Sequence, residues 1–274
     1  MPAQMKGISL IVGLGNIGSE YDGTRHNAGF MFADELASRS HAYFSEEKKF
    51  SAYVTRVELD HHDVWLMKPT TYMNRSGTAV QALAQYYHIE PEEILVVHDE
   101  LDLLPGCMKL KQGGGNAGHN GLKDITQKLA TPNFWRLRIG TGHPRTLGLR
   151  IQVVDFVLGK PTPEQMQGIS SCIAAGIDCM ADLADGNFQS AQRKRPNKPW
   201  RRLSSSVPAC SVFLSAGTEK PFQGTTRAFS PSSCPEAAES CRSAPSARAG
   251  FPHRAHPVKS RQGTARTFCP EGLA

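Results

Sequence analysis

Two stretches of the chain, Ile8–Gly13 and Glu93–His98, are apolar at nearly every position and rich in β-branched residues. That is the pattern of strands buried on both faces. Between and after them the apolar period lengthens to that of a helix. It does so over Ala28–Ser38 (Phe30, Phe32, Ala33, Leu36, Ala37), over Thr78–His88 (Val80, Leu83, Ala84, Tyr87), and over Leu122–Leu129. Ala52–Leu59 and Val64–Lys68 are expected to form a hairpin across Asp60-His61-His62-Asp63. Further strands are expected at Trp135–Gly140 and Ile151–Leu158. A last helix is expected at Pro163–Leu183, on the stripe Met166, Ile169, Ile173, Ile177 and Met180. Strands interleaved with helices predict an α/β fold: one domain with a central mixed, twisted sheet flanked by helices.

This periodicity stops near Gln192. Over residues 194–274, Ser (12), Pro (10) and Gly (5) fill a third of the 81 positions, a composition that favours a disordered tail. The expected division is therefore a folded domain over 1–193 and a basic tail over 194–274. Charge follows the same boundary. The formal net charge is +6, yet residues 1–193 carry 18 Lys+Arg against 21 Asp+Glu, leaving −3, while the tail carries 13 against 4, leaving +9. A polyanion partner would thus meet the folded part only at a local patch. The seven cysteines form no C-x-x-C pair, the N-terminus does not read as a signal peptide, and no apolar run is long enough to span a bilayer. A reduced, cytoplasmic protein with no membrane partner is expected.

The first strand runs into Gly13-Leu14-Gly15-Asn16-Ile17-Gly18, a G-x-G-x-x-G pattern. A dinucleotide site needs a helix to start at once and an acidic residue closing a second strand about 20 positions on. The polar stretch Ser19–Asn27 follows instead, and Asp34 and Glu35 sit inside a helix, which disfavours a nucleotide-dependent oxidoreductase. The other reading puts Asn16 at the carboxyl end of a central strand, where open α/β sheets gather ligands. Asp99, in His98-Asp99-Glu100, closes the second apolar strand. If the two strands are parallel neighbours, Asp99 and the loop holding Tyr21, Arg25, His26 and Asn27 share one crevice. A carboxylate against an imidazole fixes its tautomer and raises its basicity. Asn74 in the 68–77 loop reads either as a helix cap or as a ligand donor. Gly113–Gly121, with five glycines in nine residues, reads as a flexible loop or as backbone approaching a ligand ahead of a helix. There is no G-x-S-x-G elbow, and His61, His62 and Asp63 read as an exposed turn, not as metal ligands. Without nucleophile or metal, a His–Asp pair most naturally activates water.

Taken together, GLGNIGSEYDGTRHNAGF, KPTTYMNRSGTAV, VVHDELDLLPG and GGGNAGHNGLKDI resemble the successive signatures of the bacterial peptidyl-tRNA hydrolase family, and the likeness continues through FWRLRIGTGHP and VVDFVLGKP, over about residues 7–190. The resemblance implies a monomeric enzyme that cleaves the ester between a peptide and the 3′ ribose of tRNA, with no cofactor and no metal. It implies that His26 is the general base and Asp99 orients it. Asn16, Asn74 and Asn120 would position substrate or water, Tyr21, Met73 and His119 would line the same cleft, and Lys111 and Arg138 would hold tRNA phosphate. A non-catalytic RNA-binding protein with a basic tether is the rival class, and an intact His26 and Asp99 argue against it. Two features depart from the family. Ile17 stands where Pro is usual, which would loosen the turn presenting Asn16. The likeness also ends near Phe188–Arg193, so the tail reads as the product of a shifted frame or lost stop codon, with an RNA-binding extension as the alternative.

Overall fold

The computed structural model describes residues 6–193, all within one compact unit. The expected tail, residues 194–274, lies outside them. Seven strands make one sheet: β1 (Leu10–Gly13), β2 (Ser45–Glu47), β3 (Ala52–Leu59), β4 (His62–Pro69), β5 (Ile94–Glu100), β6 (Met108–Gln112) and β7 (Trp135–Gly140). Their order is β2-β3-β4-β1-β5-β7-β6. The four central strands β4, β1, β5 and β7 are parallel, and the antiparallel strands β2, β3 and β6 extend the two ends, so the sheet is mixed. The helices are α1 (Ala28–Arg39), α2 (Ser76–Tyr87), α3 (Asn120–Leu129), α4 (Val153–Leu158), α5 (Pro163–Ile177), α6 (Met180–Ala184) and α7 (Phe188–Arg193). None of them is long and apolar enough to cross a membrane.

The fully apolar character of β1 and β5 has a direct cause. Ile11, Leu95 and Val97 enter a core shared with α1, α5, α6 and α7, whereas Leu10, Val12, Ile94 and Val96 enter a second core with α2 and α3. Each successive residue of a strand points to the opposite face. A strand with a core on both faces therefore shows no alternation. The hairpin forms as expected, with a tighter turn: Leu59 pairs with His62, and Asp60 and His61 both take positive φ (46° and 70°). His61 is almost fully exposed there, while His62 hydrogen-bonds Asp185 at 2.7 Å.

Two expectations fail and two strands go unforeseen, each for an identifiable reason. Ile151–Leu158 is not a strand; its β-branched residues fold as the six-residue helix α4. Phe156 is its one buried side chain and the valines face outward, so tertiary packing overrides β-propensity. The helix expected over Pro163–Leu183 breaks at Asp178 and Cys179, where the Cys179 thiol donates to the Ala175 carbonyl at 3.1 Å. The bend keeps Cys179, Met180 and Leu183 in the same core as Ile169 and Ile173. The edge strands β2 and β6 were not anticipated. Both are short and polar, and only Leu110 among their residues is buried, so they carry no two-residue alternation.

Gly13 and Gly15 owe their identity to close approach, not to turn geometry. A Cβ at Gly13 would meet the Gly29 carbonyl at 2.3 Å, and one at Gly15 would meet the Phe30 ring at 2.5 Å. Gly29 is equally constrained, with the Leu14 amide and the Val97 carbonyl each 2.3 Å from a Cβ there. These glycines press the start of α1 onto the ends of β1 and β5. Gly29→Ala should therefore destabilise the fold by about 2–3 kcal/mol, lowering Tm by roughly 5–10 °C. Calorimetry checks this, and an unchanged Tm would mean that α1 moves away freely.

Candidate active site

Parallel pairing of β1 with β5 sets their carboxyl ends side by side, Gly13 opposite Val97. The chain leaving β1 makes two 3-10 turns, Ser19–Tyr21 and Arg25–Asn27, before α1 begins. The second turn carries His26 to Asp99 on β5. No helix starts directly after Gly13, as the loop composition predicts, so a dinucleotide pyrophosphate would find no helix N-terminus there.

His26 Nδ1 lies 2.9 Å from Asp99 Oδ1, and His119 Nε2 lies 3.1 Å from the same oxygen. Asp99 is 3% exposed, and the two imidazoles stand with centroids 5.0 Å apart. The proton positions follow from the partners. At the head of α3, His119 Nδ1 accepts from the Leu122 amide at 3.4 Å, so the His119 proton sits on Nε2 and is donated to Asp99. The carboxylate only accepts, so His26 also donates, from Nδ1. That leaves the Nε2 lone pair of His26 free to take a proton.

The electrostatics agree with this assignment. Burial alone would push the His26 ring down, but the charge and hydrogen bond of Asp99 outweigh it and hold the ring above its ordinary value. Burial would raise Asp99, yet His26 and His119 keep it well below the usual carboxylate range. Next to them His98, wholly buried and packed edge-on against His119 at 4.9 Å, is pushed down to about 3, chiefly by burial. It stays neutral and donates from Nδ1 to the Asp99 carbonyl at 2.6 Å.

His26, Asp99, His119 and Asn120 line one cavity of about 370 Å³, together with Glu100, Leu101, Asp102, His143 and the α4 residues Val153, Val154 and Val157. Asn16 is not in this lining and is held by three hydrogen bonds. Its amide N–H donates to Asn27 Oδ1 (2.8 Å), its carbonyl accepts from Asn27 Nδ2 (3.0 Å), and its Oδ1 accepts from the Met73 amide (2.9 Å). These three bonds fix Asn16 without a proline ring at the next position, and Ile17 is left partly exposed. Met73 is buried, its sulfur packed where a Cβ at Gly121 would sit (2.7 Å). Tyr21 and Asn74 do not line the cavity. Tyr21 is half-buried and receives Thr24 through its carbonyl, and Asn74 is exposed in the turn Met73–Arg75, where it makes no capping bond to α2.

Lys111 and Arg138 lie beyond Glu100, lining a separate and larger cavity of about 740 Å³ with Lys109. Size does not make it the reacting site, since no paired acid and base line it. Arg138 Nε donates to Glu100 Oε2 at 2.7 Å, so part of its charge is already matched.

Among the described residues one group has the spacing of metal ligands: His26, Asp99 and His119, with donor atoms within 4.8 Å of one another. Asp99 Oδ1 is already occupied by two N–H donors. A cation held between all three through these facing atoms would have to displace both protons, whereas His26 Nε2 stays open.

Sequence reasoning placed Asn27 in the His26 loop without a role and missed the valine wall of α4. The role of Asn27 shows only through its partner Asn16, whereas Val153, Val154 and Val157 do share helical spacing. Their β-branched character masked it.

A model of the family described as peptidyl-tRNA hydrolase matches residues 10–202. The chain is similar to a peptidyl-tRNA hydrolase of Bordetella petrii (55% identity, 71% of this chain and 92% of the relative) and to one of Neisseria gonorrhoeae (55%, 68% and 95%). Its fold matches the crystal structure of peptidyl-tRNA hydrolase from Acinetobacter baumannii with TM-score 0.66 and 44% identity, over 71% of this chain and 99% of that one. With more than half of its length matched and its relatives covered almost end to end, the chain belongs to the peptidyl-tRNA hydrolase family.

Proposed function

We propose that this enzyme hydrolyses the ester between a peptide and the 3′ ribose of tRNA, with His26 as general base and Asp99 as its orienting carboxylate. The observation that carries the reading is the 2.9 Å contact from His26 Nδ1 to Asp99 Oδ1 at the wall of an open cavity. Nε2 of His26 takes a proton from water as the water oxygen attacks the ester carbonyl. Asp99 stabilises the imidazolium that results. The carbonyl oxygen gains the negative charge, and Asn120 and the N-terminal end of α3 supply positive dipole near it. Collapse breaks the bond to the ribose oxygen, which leaves with the proton held by His26. The products are free tRNA and a peptide carboxylate.

Asn16 maintains the loop arrangement through its bonds to Asn27 and Met73, so its role is bracing the site more than touching substrate. Met73 and His119 support the same wall. Tyr21 and Asn74 are assigned to substrate contact by the family resemblance alone. Lys111 and Arg138 contact tRNA phosphate, and because phosphate contacts release counterions, affinity falls as salt rises. The reaction needs no metal or other cofactor, and the enzyme works as a cytoplasmic monomer. The segment 194–274 is incidental to hydrolysis.

The test uses the full chain with N-acetyl-aminoacyl-tRNA and with free aminoacyl-tRNA, each with and without chelator. Release is expected from the blocked substrate only, since a charged amine replaces the amide in the other, and it is expected to resist chelation. Hydrolysis of both substrates at one rate would sink the peptide half of the reading, and loss of activity with chelator would sink the metal-free mechanism.

A further inference from the structure

Immediately before His26, Arg25 is buried. Its side chain turns away from the reacting groups and reaches the far half of the chain. Nη1 donates to the carbonyls of Phe156 and Gly159, both at 3.0 Å, and Nη2 donates to Gln165 Oε1 at 2.7 Å. The guanidinium lies 4.0 Å over the Phe156 ring, and the Arg25 amide donates to Gly159 as well, at 3.2 Å. Gln165 is in turn fixed by the capping box that opens α5. No carboxylate among the described residues forms an ion pair with Arg25, and burial lowers its pKa.

A desolvated cation without a counter-charge is an expensive way to fill space. What it holds explains its presence. At six residues α4 is too short to be stable alone. Its principal neighbour is the turn that carries His26. Its outward side chains Val153, Val154 and Val157 line the cavity with His26 and Asp99. Arg25 binds the last carbonyls of this helix, where a cation also meets the negative end of the helix dipole.

We propose that Arg25 is a positioning residue that holds α4 against the His26 turn, so that the three valines stand as the apolar wall of the substrate cavity. Lysine cannot substitute, because one ammonium lacks the planar fork that reaches three acceptors and stacks on a ring. This inference rests on the hydrolase reading for its kinetic arm only.

The experiment compares wild type, Arg25→Lys, Arg25→Ala and Gln165→Leu on N-acetyl-aminoacyl-tRNA, with folding checked by circular dichroism. Arg25→Lys is expected to raise KM about tenfold with kcat within about twofold of wild type, because a displaced wall weakens substrate binding and leaves the His26–Asp99 pair in place. Gln165→Leu should move KM in the same direction by less. Guanidinium chloride should restore KM in Arg25→Ala, and sodium chloride at equal ionic strength should not. Hydrogen exchange over Val153–Gly159, read on the substrate-free protein, should quicken in the Arg25 variants. Should Arg25→Ala fail to fold, the Lys and Leu variants still decide. An unchanged KM, a fall in kcat alone, or unchanged exchange in Arg25→Lys would overturn the proposal. Exchange is read without substrate, so it separates this failure from failure of the hydrolase reading, in which wild type itself releases nothing.

Discussion

Replacing His26 with alanine is expected to lower kcat by about 10³-fold while KM stays close to the wild-type value. That loss corresponds to about 4 kcal/mol of transition-state stabilisation. The reasoning is geometric. The ring presents one lone pair, on Nε2, because Nδ1 is committed to Asp99 at 2.9 Å. His119 lines the same cavity, but its Nε2–H points at Asp99 and its Nδ1 is used by the Leu122 amide. It therefore cannot take over. In the proposed reading substrate binding rests on Asn120, the valine wall and the cations Lys111 and Arg138, none of which the change touches. Single-turnover release from N-acetyl-aminoacyl-tRNA measures the effect, and His26→Asn serves as a variant that leaves a smaller void.

Asp99→Asn is expected to have the second large effect, a fall in kcat of about 10²-fold, smaller than the loss of the base through which it acts. The amide oxygen can take the place of Oδ1 and still accept from both rings, but it carries no charge. The imidazolium formed as His26 draws a proton from water then loses its counter-charge. The pH dependence gives a second signature. Asp99 raises the His26 value against the effect of burial, so its removal lowers that value, and the remaining activity should persist to lower pH than in wild type. Stability follows with defined signs. The depressed Asp99 contributes stability above its unfolded value, about pH 4, and loses it as pH falls through the folded value. The raised His26 contributes below its unfolded value, about pH 6.5, and loses it as pH rises through the folded value. Wild type should thus gain most from the pair between about pH 4 and pH 6.5, which denaturant titrations of wild type and Asp99→Asn can measure.

The meeting of His26 with Asp99 was readable from the chain because two unbroken apolar runs each ended in polar residues. Strands buried on both faces are central, central strands of an α/β sheet are parallel, and their carboxyl ends share a crevice. His119 and Asn120 came to the cleft through the family resemblance, since the glycine-rich stretch leading into α3 reads equally as a flexible loop. Other parts were hidden by physics that acts only after folding. Val153, Val154 and Val157 carry strand-like side chains, and their helix depends on Arg25, more than a hundred positions earlier. Asn27 looks like any loop asparagine until Asn16 is placed beside it. The edge strands β2 and β6 show little burial to betray them, and the bend after Ile177 interrupts an apolar stripe that continues on both sides of it. Lys111 and Arg138 were found as cations, but the Glu100 partner of Arg138 lay 38 positions away and could not be paired by eye.

The pH dependence of kcat/KM on N-acetyl-aminoacyl-tRNA, taken from about pH 5 to pH 9, tests the role of His26 most directly. In wild type the rate should fall on the acid side with a single ionisation above the ordinary histidine value, because only the neutral ring can accept a proton. In His26→Asn that limb should vanish along with most of the rate. An acid limb that persists unchanged in His26→Asn, at comparable rate, would contradict His26 as the base.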